Sequence, residues 1–228
     1  LAEQVVARAR GRVVLVTPWA TDPTLTQIRV PWFFRVVPDD RQQAAALVRE
    51  IFEVRRLGHV AVLVEDGYDA RMSSETFVKS VPAGAVTLFH AGDGGGRPGP
   101  LVGRLRQSEV DGWVFFARPA SAARWLRELR EAGMDRPAFA PLVRAVGEFL
   151  ELVRSSAAGA VLVVPGGVQE LVDGQFRREF VGAYGDSPGP LALYAYDGLM
   201  VLAEAIRKAN YDREAIRDSL VGIQLAGV

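Results

Sequence analysis

The chain has 228 residues, of which 49% are hydrophobic and 24% are charged, so it can bury the core of one large domain or of two small ones. Its 27 basic and 27 acidic residues balance, and no basic patch alternates with aromatic residues, which argues against a nucleic-acid partner. Cysteine is absent, which excludes disulfides, thiolate metal ligands and cysteine nucleophiles.

The sequence contains no run of about 18 apolar residues, so we predict no transmembrane helix. Residues 1–10 have the charge pattern of an amphipathic helix, and no signal peptide is visible in this chain.

Short runs rich in β-branched residues alternate along the chain with longer helical patterns. This alternation is typical of βαβ units and of a parallel sheet that helices cover on both faces. Runs in which apolar and polar residues alternate little should be central strands. The predicted strands are residues 12–16, 60–64, 86–90, 113–116, 138–140 and 160–164.

Two predicted helices lie between these strands and have recognisable ends. Residues 41–57 form one of them, which stops at Gly58, and Asp40 followed by Gln43 has the spacing of a capping box. Residues 120–132 form the other, which ends at Gly133.

Two further helices are predicted near the end of the chain. Asp212 should cap the last one, residues 213–220. The longer one covers residues 191–209, and its helical spacing places on one buried side Tyr194, Gly198, Val201, Leu202 and Ile206.

Residues 92–100 carry five glycines and two prolines, which can neither continue a helix nor pair in a central strand, so we predict a loop there.

Four segments resemble a known family. Residues 17–26 (TPWATDPTLT) and 32–43 (WFFRVVPDDRQQ) resemble the S-P-x-A-T-x-P-x-L-T and Y-F-F-R-x-x-P-x-D-x-Q-Q segments of the branched-chain amino-acid (Leu/Ile/Val) substrate-binding proteins of ABC transporters. Residues 64–68 (VEDGY) are similar to that family's strand-end D-x-x-Y-G turn, and residues 194–198 (YAYDG) begin a similar helix. The motifs stand in the family's order, so the resemblance runs from about residue 13 to the end.

The resemblance implies an α/β fold of the periplasmic binding protein type I class. Such a fold has two lobes, each a parallel sheet flanked by helices, and encloses its ligand when a hinge closes. By analogy, residues 1–38 and 165–228 form lobe one and residues 39–164 form lobe two. One strand with three or four helices cannot bury its apolar faces, so we expect lobe one to be incomplete here. Its missing strands would come from further sequence, a second chain or a domain exchange.

The resemblance also implies a ligand site. In the family, hydroxyls and backbone N–H groups of lobe one hold an amino-acid carboxylate, and an acid of lobe two holds the ammonium. Thr21 matches the hydroxyl donor, the backbone of Trp19, Ala20 and Thr21 matches the N–H donors, and Tyr68 matches the aromatic residue that packs on the ligand. The alternatives are that Thr21 caps the following turn and that Tyr68 is a plain surface tyrosine.

Several positions depart from the family pattern. Leu142 stands where the ammonium-binding acid is expected, and Trp19 replaces a small residue, so its indole could fill the volume of an amino acid. At the end of the fourth motif strand, Arg118 follows Phe116 where the family often has an aromatic residue or glycine. With Leu191, these residues complete the predicted ligand-binding set.

These departures favour the hypothesis that Arg118 forks onto the carboxylate of an organic acid, whose ring or chain stacks on Trp19 and Tyr68. The alternative is that Arg118 is a solvated rim residue in a partly degenerate cleft.

No pattern predicts catalysis, a cofactor or a metal. His59 and His90 lack metal-ligand spacing, and His90, at a strand end, is the better functional candidate. The glycine-rich segment lacks the G-K-[ST] ending of a phosphate loop, and no G-x-G-x-x-G follows the first strand. Glu65 and Asp66 could form an acid pair, but strand-end carboxylates in this fold usually face solvent or cap a helix.

The resemblance thus predicts a periplasmic or otherwise extracytoplasmic solute-binding protein that is not an enzyme, with an amino-acid or organic-acid ligand and the membrane permease of an ABC transporter as partner. Two alternatives are a ligand-sensing receptor or regulatory domain of the same fold, and a protein that keeps the fold but has lost ligand binding.

Overall fold

The computed structural model describes residues 13–27, 31–90, 99–141, 152, 158–163 and 173–223. These residues form two compact units. Unit one comprises the described residues of Leu1–Asp39 and Pro165–Val228, and unit two comprises those of Asp40–Val164.

Unit two is built on a five-stranded parallel sheet. The strands are β3 (Val60–Val64), β4 (Val86–His90), β5 (Gly112–Phe116), β6 (Ala138–Ala140) and β7 (Ala160–Leu162). Their spatial order is β4-β3-β5-β6-β7. All five were predicted from their apolar runs, with small differences at the ends.

The three interior strands β3, β5 and β6 are buried along their whole length, as their unbroken apolar runs predict. Successive side chains of a strand point to opposite faces, so β5 contributes to two cores. Trp113 and Phe115 pack with the helix of Pro119–Glu131, while Val114 and Phe116 pack with the helices on the other face. The sheet is therefore covered on both sides.

Four helices flank this sheet: α2 (Asp40–Val48), α3 (Tyr68–Val78), α4 (Gly99–Arg106) and α5 (Pro119–Glu131). The predicted helix 41–57 changes character after Val48, where Arg49–Val54 form a π-helix. Arg55 N–H donates to the Glu50 carbonyl at 3.0 Å, five residues back, and this wider turn keeps Ile51 fully buried.

The glycine-rich segment needs a correction at its end. Residues 91–98 lie outside the described residues, but Gly99 and Pro100 begin helix α4 and are not loop. Proline is tolerated in a first helical turn because its missing N–H has no intrahelical partner there.

Unit one contains a two-stranded parallel sheet, β1 (Leu15–Thr17) paired with β2 (Phe33–Arg35). The second strand was not predicted, because its three residues lie inside a motif that was interpreted for function. The helices are α1 (Thr24–Gln27), α6 (Gln175–Tyr184), α7 (Pro190–Lys208) and α8 (Arg213–Gly222). The predicted cap of the last helix is confirmed, because Asp212 Oδ1 accepts from Ala215 N–H at 2.8 Å.

Helix α7 presents two different faces. On the buried side, a Cβ built at Gly198 would lie 3.4 Å from Val36 and 3.5 Å from Val16, so the helix approaches the two strands closely there. Tyr194 is buried with Gly198, as predicted, whereas the other three predicted positions are half-buried. The opposite side carries an exposed apolar stripe formed by Tyr196, Leu199 and Met200, and Leu191 is exposed near the start of the helix.

Among the described residues, we find no helix whose length and apolar content would suit a membrane span.

Candidate functional site

The order of the strands in unit two creates a crevice at one edge of the sheet. After β3 the chain moves outward to β4, and it later returns to place β5 on the other side of β3. The loops that follow β3 and β5 therefore diverge at the carboxyl ends of these strands, which is the usual ligand position in open α/β sheets. The loops carry Glu65 and Tyr68 after β3, and Arg118 after β5.

Glu65 connects the residues at this edge through the hydrogen bonds of its side chain. It is only 4% exposed, and its carboxylate accepts four hydrogen bonds. The backbone N–H of Arg118 donates to Oε2 at 2.7 Å, and the guanidinium donates to Oε1 through Nε at 3.1 Å and Nη2 at 2.7 Å. The Ser121 hydroxyl donates to Oε1 at 2.7 Å. The carboxylate thus ties the end of β3 to the start of helix α5.

These contacts set the ionisation of Glu65. Burial by itself raises the pKa of its carboxyl, but hydrogen bonds from the side chain and backbone of Arg118 and from Ser121 outweigh burial and lower the pKa below the ordinary 4.5. Glu65 is therefore ionised at neutral pH, and it neither faces solvent nor forms an acid pair with the exposed Asp66.

This arrangement predicts a pH dependence of stability. Because the folded-state pKa of Glu65 is lowered, its ionised form stabilises unit two above the ordinary pKa of 4.5, and that stabilisation is lost as the pH falls through the folded-state value. The difference in unfolding free energy between wild type and Glu65→Gln should be widest at neutral pH and should narrow below about pH 4.5. Urea denaturation followed by circular dichroism measures it, and a difference independent of pH would contradict the assignment.

The Arg118 guanidinium is hydrogen-bonded to Glu65 along one side and exposed to solvent elsewhere. Its side chain is 70% exposed although it makes the 2.7 Å ion pair with Glu65. The guanidinium therefore faces solvent, as the alternative of a solvated rim residue expects, but unlike such a residue it is anchored on one edge.

Tyr68 is the first residue of helix α3 and is 57% exposed. Gly67 precedes it with φ of 148°, a value that side chains rarely adopt, so the turn that presents the tyrosine depends on glycine. The structure thus brings Tyr68 and Arg118 to the same edge of the unit-two sheet.

In unit one, the predicted N–H donors are partly occupied. Thr17 Oγ1 accepts from Trp19 N–H at 3.2 Å and from Ala20 N–H at 2.9 Å. In this conformation Trp19 and Ala20 direct their N–H groups to Thr17, and their role as N–H donors to a ligand stays a prediction.

The alternative role of Thr21 as a cap is wrong. Asp22 Oδ1 accepts from the backbone N–H of Thr24 at 2.9 Å and from its hydroxyl at 2.7 Å, so Asp22 caps the short helix α1. The hydrogen bond that the structure gives Thr21 uses its carbonyl, which accepts from Arg35 at 3.1 Å. The ligand role of the Thr21 hydroxyl stays a prediction.

Three further residues of the predicted ligand-binding set are Phe116, Leu191 and Leu142. Phe116 is 3% exposed and packs on Phe77 with ring centroids 5.6 Å apart, so it belongs to the core at the end of β5, and its ligand contact stays a prediction. Leu191 is exposed on helix α7, and Leu142 lies outside the described residues.

Among the described residues, neither histidine belongs to a group that could hold a metal ion. His59 Nε2 lies 2.9 Å from Thr87 Oγ1, and His90 is exposed. Across the described ranges, no group of three or more His, Asp or Glu side chains could hold a metal ion.

A family model described as periplasmic binding protein matches residues 1–228, the whole chain. The chain belongs to the periplasmic binding protein family. A curated relative of this periplasmic binding protein is the leucine-, isoleucine-, valine-, threonine- and alanine-binding protein of Pseudomonas aeruginosa, which is 24% identical over 213 residues. The alignment covers 91% of this chain and 57% of the relative.

Solved structures of the family share the fold. The leucine-binding protein LivK of Thermotoga maritima matches with a TM-score of 0.77 and 23% identity, over 92% of this chain and 61% of that one. LivJ of Streptococcus pneumoniae in complex with isoleucine matches with a TM-score of 0.77 and 19% identity, over 94% and 62%. The predicted α/β fold of the two-lobed periplasmic binding proteins is confirmed, and the chain spans less than two thirds of these proteins.

Two contacts near the candidate site were not predicted from the sequence. The Glu65 carboxylate meets Arg118, 53 positions away in sequence, so no local pattern could pair them. Arg35 donates to the carbonyls of Thr21 and Asp22, at 3.1 and 2.8 Å, and thereby holds the predicted ligand loop. An arginine inside an otherwise apolar three-residue strand was the available signal.

Proposed function

We propose that this chain is the ligand-binding part of an extracytoplasmic solute-binding protein of an ABC transporter. It binds a small amino-acid-like or carboxylate solute and catalyses no reaction. The observation that carries the proposal is the presence of an anchored arginine and an exposed tyrosine at the switch point of the unit-two sheet. Parallel α/β sheets bind ligands at that position, and the family consists of binding proteins.

In this proposal, unit one is part of lobe one and unit two is lobe two. Thr21 and Trp19 are the proposed solute-binding residues of unit one, and Tyr68 and Arg118 are those of unit two. In hinged binding proteins, closure on the solute removes it from water and strengthens each polar contact.

The relatives indicate the size of the solute. The Pseudomonas aeruginosa protein is named for leucine, isoleucine, valine, threonine and alanine, and the Streptococcus pneumoniae structure contains isoleucine. By analogy, we expect a solute with about as many atoms. The partner would be the membrane permease of the transporter, on the extracytoplasmic side.

The exposed stripe of helix α7 indicates a further contact. Three large exposed apolar side chains share one helix face, which is typical of a surface that another element covers, and a two-stranded sheet is marginal alone. We propose that additional strands and helices cover the stripe and complete lobe one, from further polypeptide, a second chain or a domain exchange. Native mass spectrometry of the purified protein would show any added or exchanged polypeptide, whereas a bare monomer would contradict this step.

Titration with a panel of small solutes tests the function. The panel contains the five amino acids named above and a set of aliphatic and aromatic carboxylates, each followed by tryptophan emission and by calorimetry. We expect saturable binding of at least one solute with a stoichiometry of one. If no member of the panel binds, the solute-binding proposal is wrong.

A further inference from the structure

The ion pair of Glu65 and Arg118 is unusual because its two members differ so much in exposure. Glu65 is 4% exposed, and the side chain of Arg118 is 70% exposed. An exposed ion pair contributes little to stability, and a buried carboxylate must recover a large desolvation penalty through its hydrogen bonds. Glu65 has four such hydrogen bonds, three of them from Arg118, so its burial is tied to the position of Arg118.

The geometry of the contact shows which part of the guanidinium is used. Nε and Nη2 of Arg118 both donate to Oε1 of Glu65, so one side of the planar group is occupied. A guanidinium has five N–H bonds in a fixed plane, and the end formed by Nη1 and the second hydrogen of Nη2 still points away from Glu65. This end has the spacing that receives a carboxylate through two parallel hydrogen bonds.

The position of Arg118 is fixed from three directions. Its backbone N–H donates to Glu65 Oε2, its side chain donates to Oε1, and the hydroxyl of Ser121, one turn into helix α5, donates to the same Oε1. A long, exposed arginine normally loses rotamer freedom when it binds a ligand, and prior fixing lowers that entropic penalty. Arg118 is thus preorganised before any solute arrives.

We infer that Glu65 is a positioning residue that holds Arg118 as the receptor for a carboxylate of the solute, on the unit-two side of the proposed site. This inference rests on the proposed solute-binding function and narrows its ligand to the class of small carboxylates. The lowered pKa of Glu65 agrees with it, because the acid stays ionised at neutral pH and keeps its hold on the guanidinium.

Unit one by itself offers a weaker carboxylate receptor, because the N–H groups of Trp19 and Ala20 donate to Thr17 Oγ1. Tyr68, at the same edge as Arg118, offers an exposed ring for the rest of the solute.

The test compares carboxylates with their neutral amides. Benzoate and benzamide, 4-methylpentanoate and 4-methylpentanamide, and leucine and leucinamide are titrated by calorimetry into wild type, Arg118→Gln and Arg127→Gln. Arg127 is an exposed arginine on the same helix α5, so its variant has the same charge and serves as the matched control. We expect Arg118→Gln to lower the affinity for the bound carboxylate by about 10- to 100-fold, the effect of losing a charge-assisted hydrogen bond. Arg127→Gln should bind as wild type does.

The role of Glu65 needs a readout that a purely structural role would not move. In nitrogen-15 spectra, the Nε–H signal of Arg118, identified by its loss in Arg118→Gln, should be protected from exchange in wild type and shift when the carboxylate is added. Glu65→Gln should lose the protection and bind the carboxylate more weakly, whereas Glu65→Asp should recover part of both. Thermal unfolding of each variant separates these effects from a loss of fold.

The outcomes distinguish the two proposals. If no solute in either class binds, the solute-binding function itself is wrong. If solutes bind but each amide binds as well as its acid, or Arg118→Gln binds the carboxylate as wild type does, the function stands and the role of the Glu65–Arg118 pair is overturned.

Discussion

Gly112→Ala is expected to destabilise unit two by about 1–3 kcal/mol, the usual effect of adding a methyl group to a filled core. Gly112 begins the central strand β5, and a Cβ built there would lie 3.0 Å from the Pro137 carbonyl oxygen and 3.1 Å from Leu57 Cδ1. It would also lie 3.3 Å from the ring of Phe139. One of these contacts is with backbone and another with a fully buried ring, so the neighbours cannot easily move.

The matched control is Gly103→Ala in helix α4, where a Cβ would meet nothing within 4 Å. That variant should gain up to about 1 kcal/mol, because alanine has the higher helix propensity. Both changes are measured as shifts in urea denaturation followed by circular dichroism. Equal shifts in the two variants would contradict the close packing of β5 against the segment that leads into β6.

Arg35→Met is expected to lower the stability of unit one by about 3 kcal/mol, because each hydrogen bond to a charged group contributes about 1.5–3 kcal/mol. The Arg35 side chain is 6% exposed and donates to the carbonyls of Thr21 and Asp22 and, at 3.3 Å, to Thr26 Oγ1. Methionine fills similar space but leaves these acceptors without the donor. The loop that carries the proposed solute-binding residues of unit one should lose its fixed conformation.

Two measurements check this prediction. Thermal unfolding should show a lower midpoint for Arg35→Met than for Arg213→Met, which removes an exposed arginine from helix α8 of the same unit. Solute affinity should fall in Arg35→Met alone, because the loop would have to be reordered on binding. An unchanged midpoint and affinity would show that Arg35 does not hold the loop.

The sequence predicts best those features that depend on an unbroken apolar run or on residues a few positions apart. The apolar runs at residues 60–64 and 113–116 identify central strands because a strand buried on both faces has no polar alternation. The cap at Asp212 is equally legible, since its partner Ala215 lies three residues away. The short strand Phe33–Arg35 was missed because three residues are too few to show a period.

The candidate site was less predictable because its contacts are not local. The sequence placed Tyr68 and Arg118 at strand ends, and the sheet order then brings both to one edge. It could not reveal that Glu65 is buried under Arg118, or that Thr17 occupies the N–H groups of Trp19 and Ala20. It also could not show that Phe116 packs on Phe77, because a strand-end aromatic residue can face either the ligand or the core, and one residue of register decides which.

The most direct test is the distance between the two units with and without solute. The chain has no cysteine, so Thr24→Cys in unit one and Arg71→Cys in unit two, both exposed positions, provide two unique spin-label sites. Double electron–electron resonance should show a shorter and narrower distance distribution when the bound solute from the titration panel is saturating. A distribution that stays the same at saturation would contradict a hinged, solute-enclosing protein.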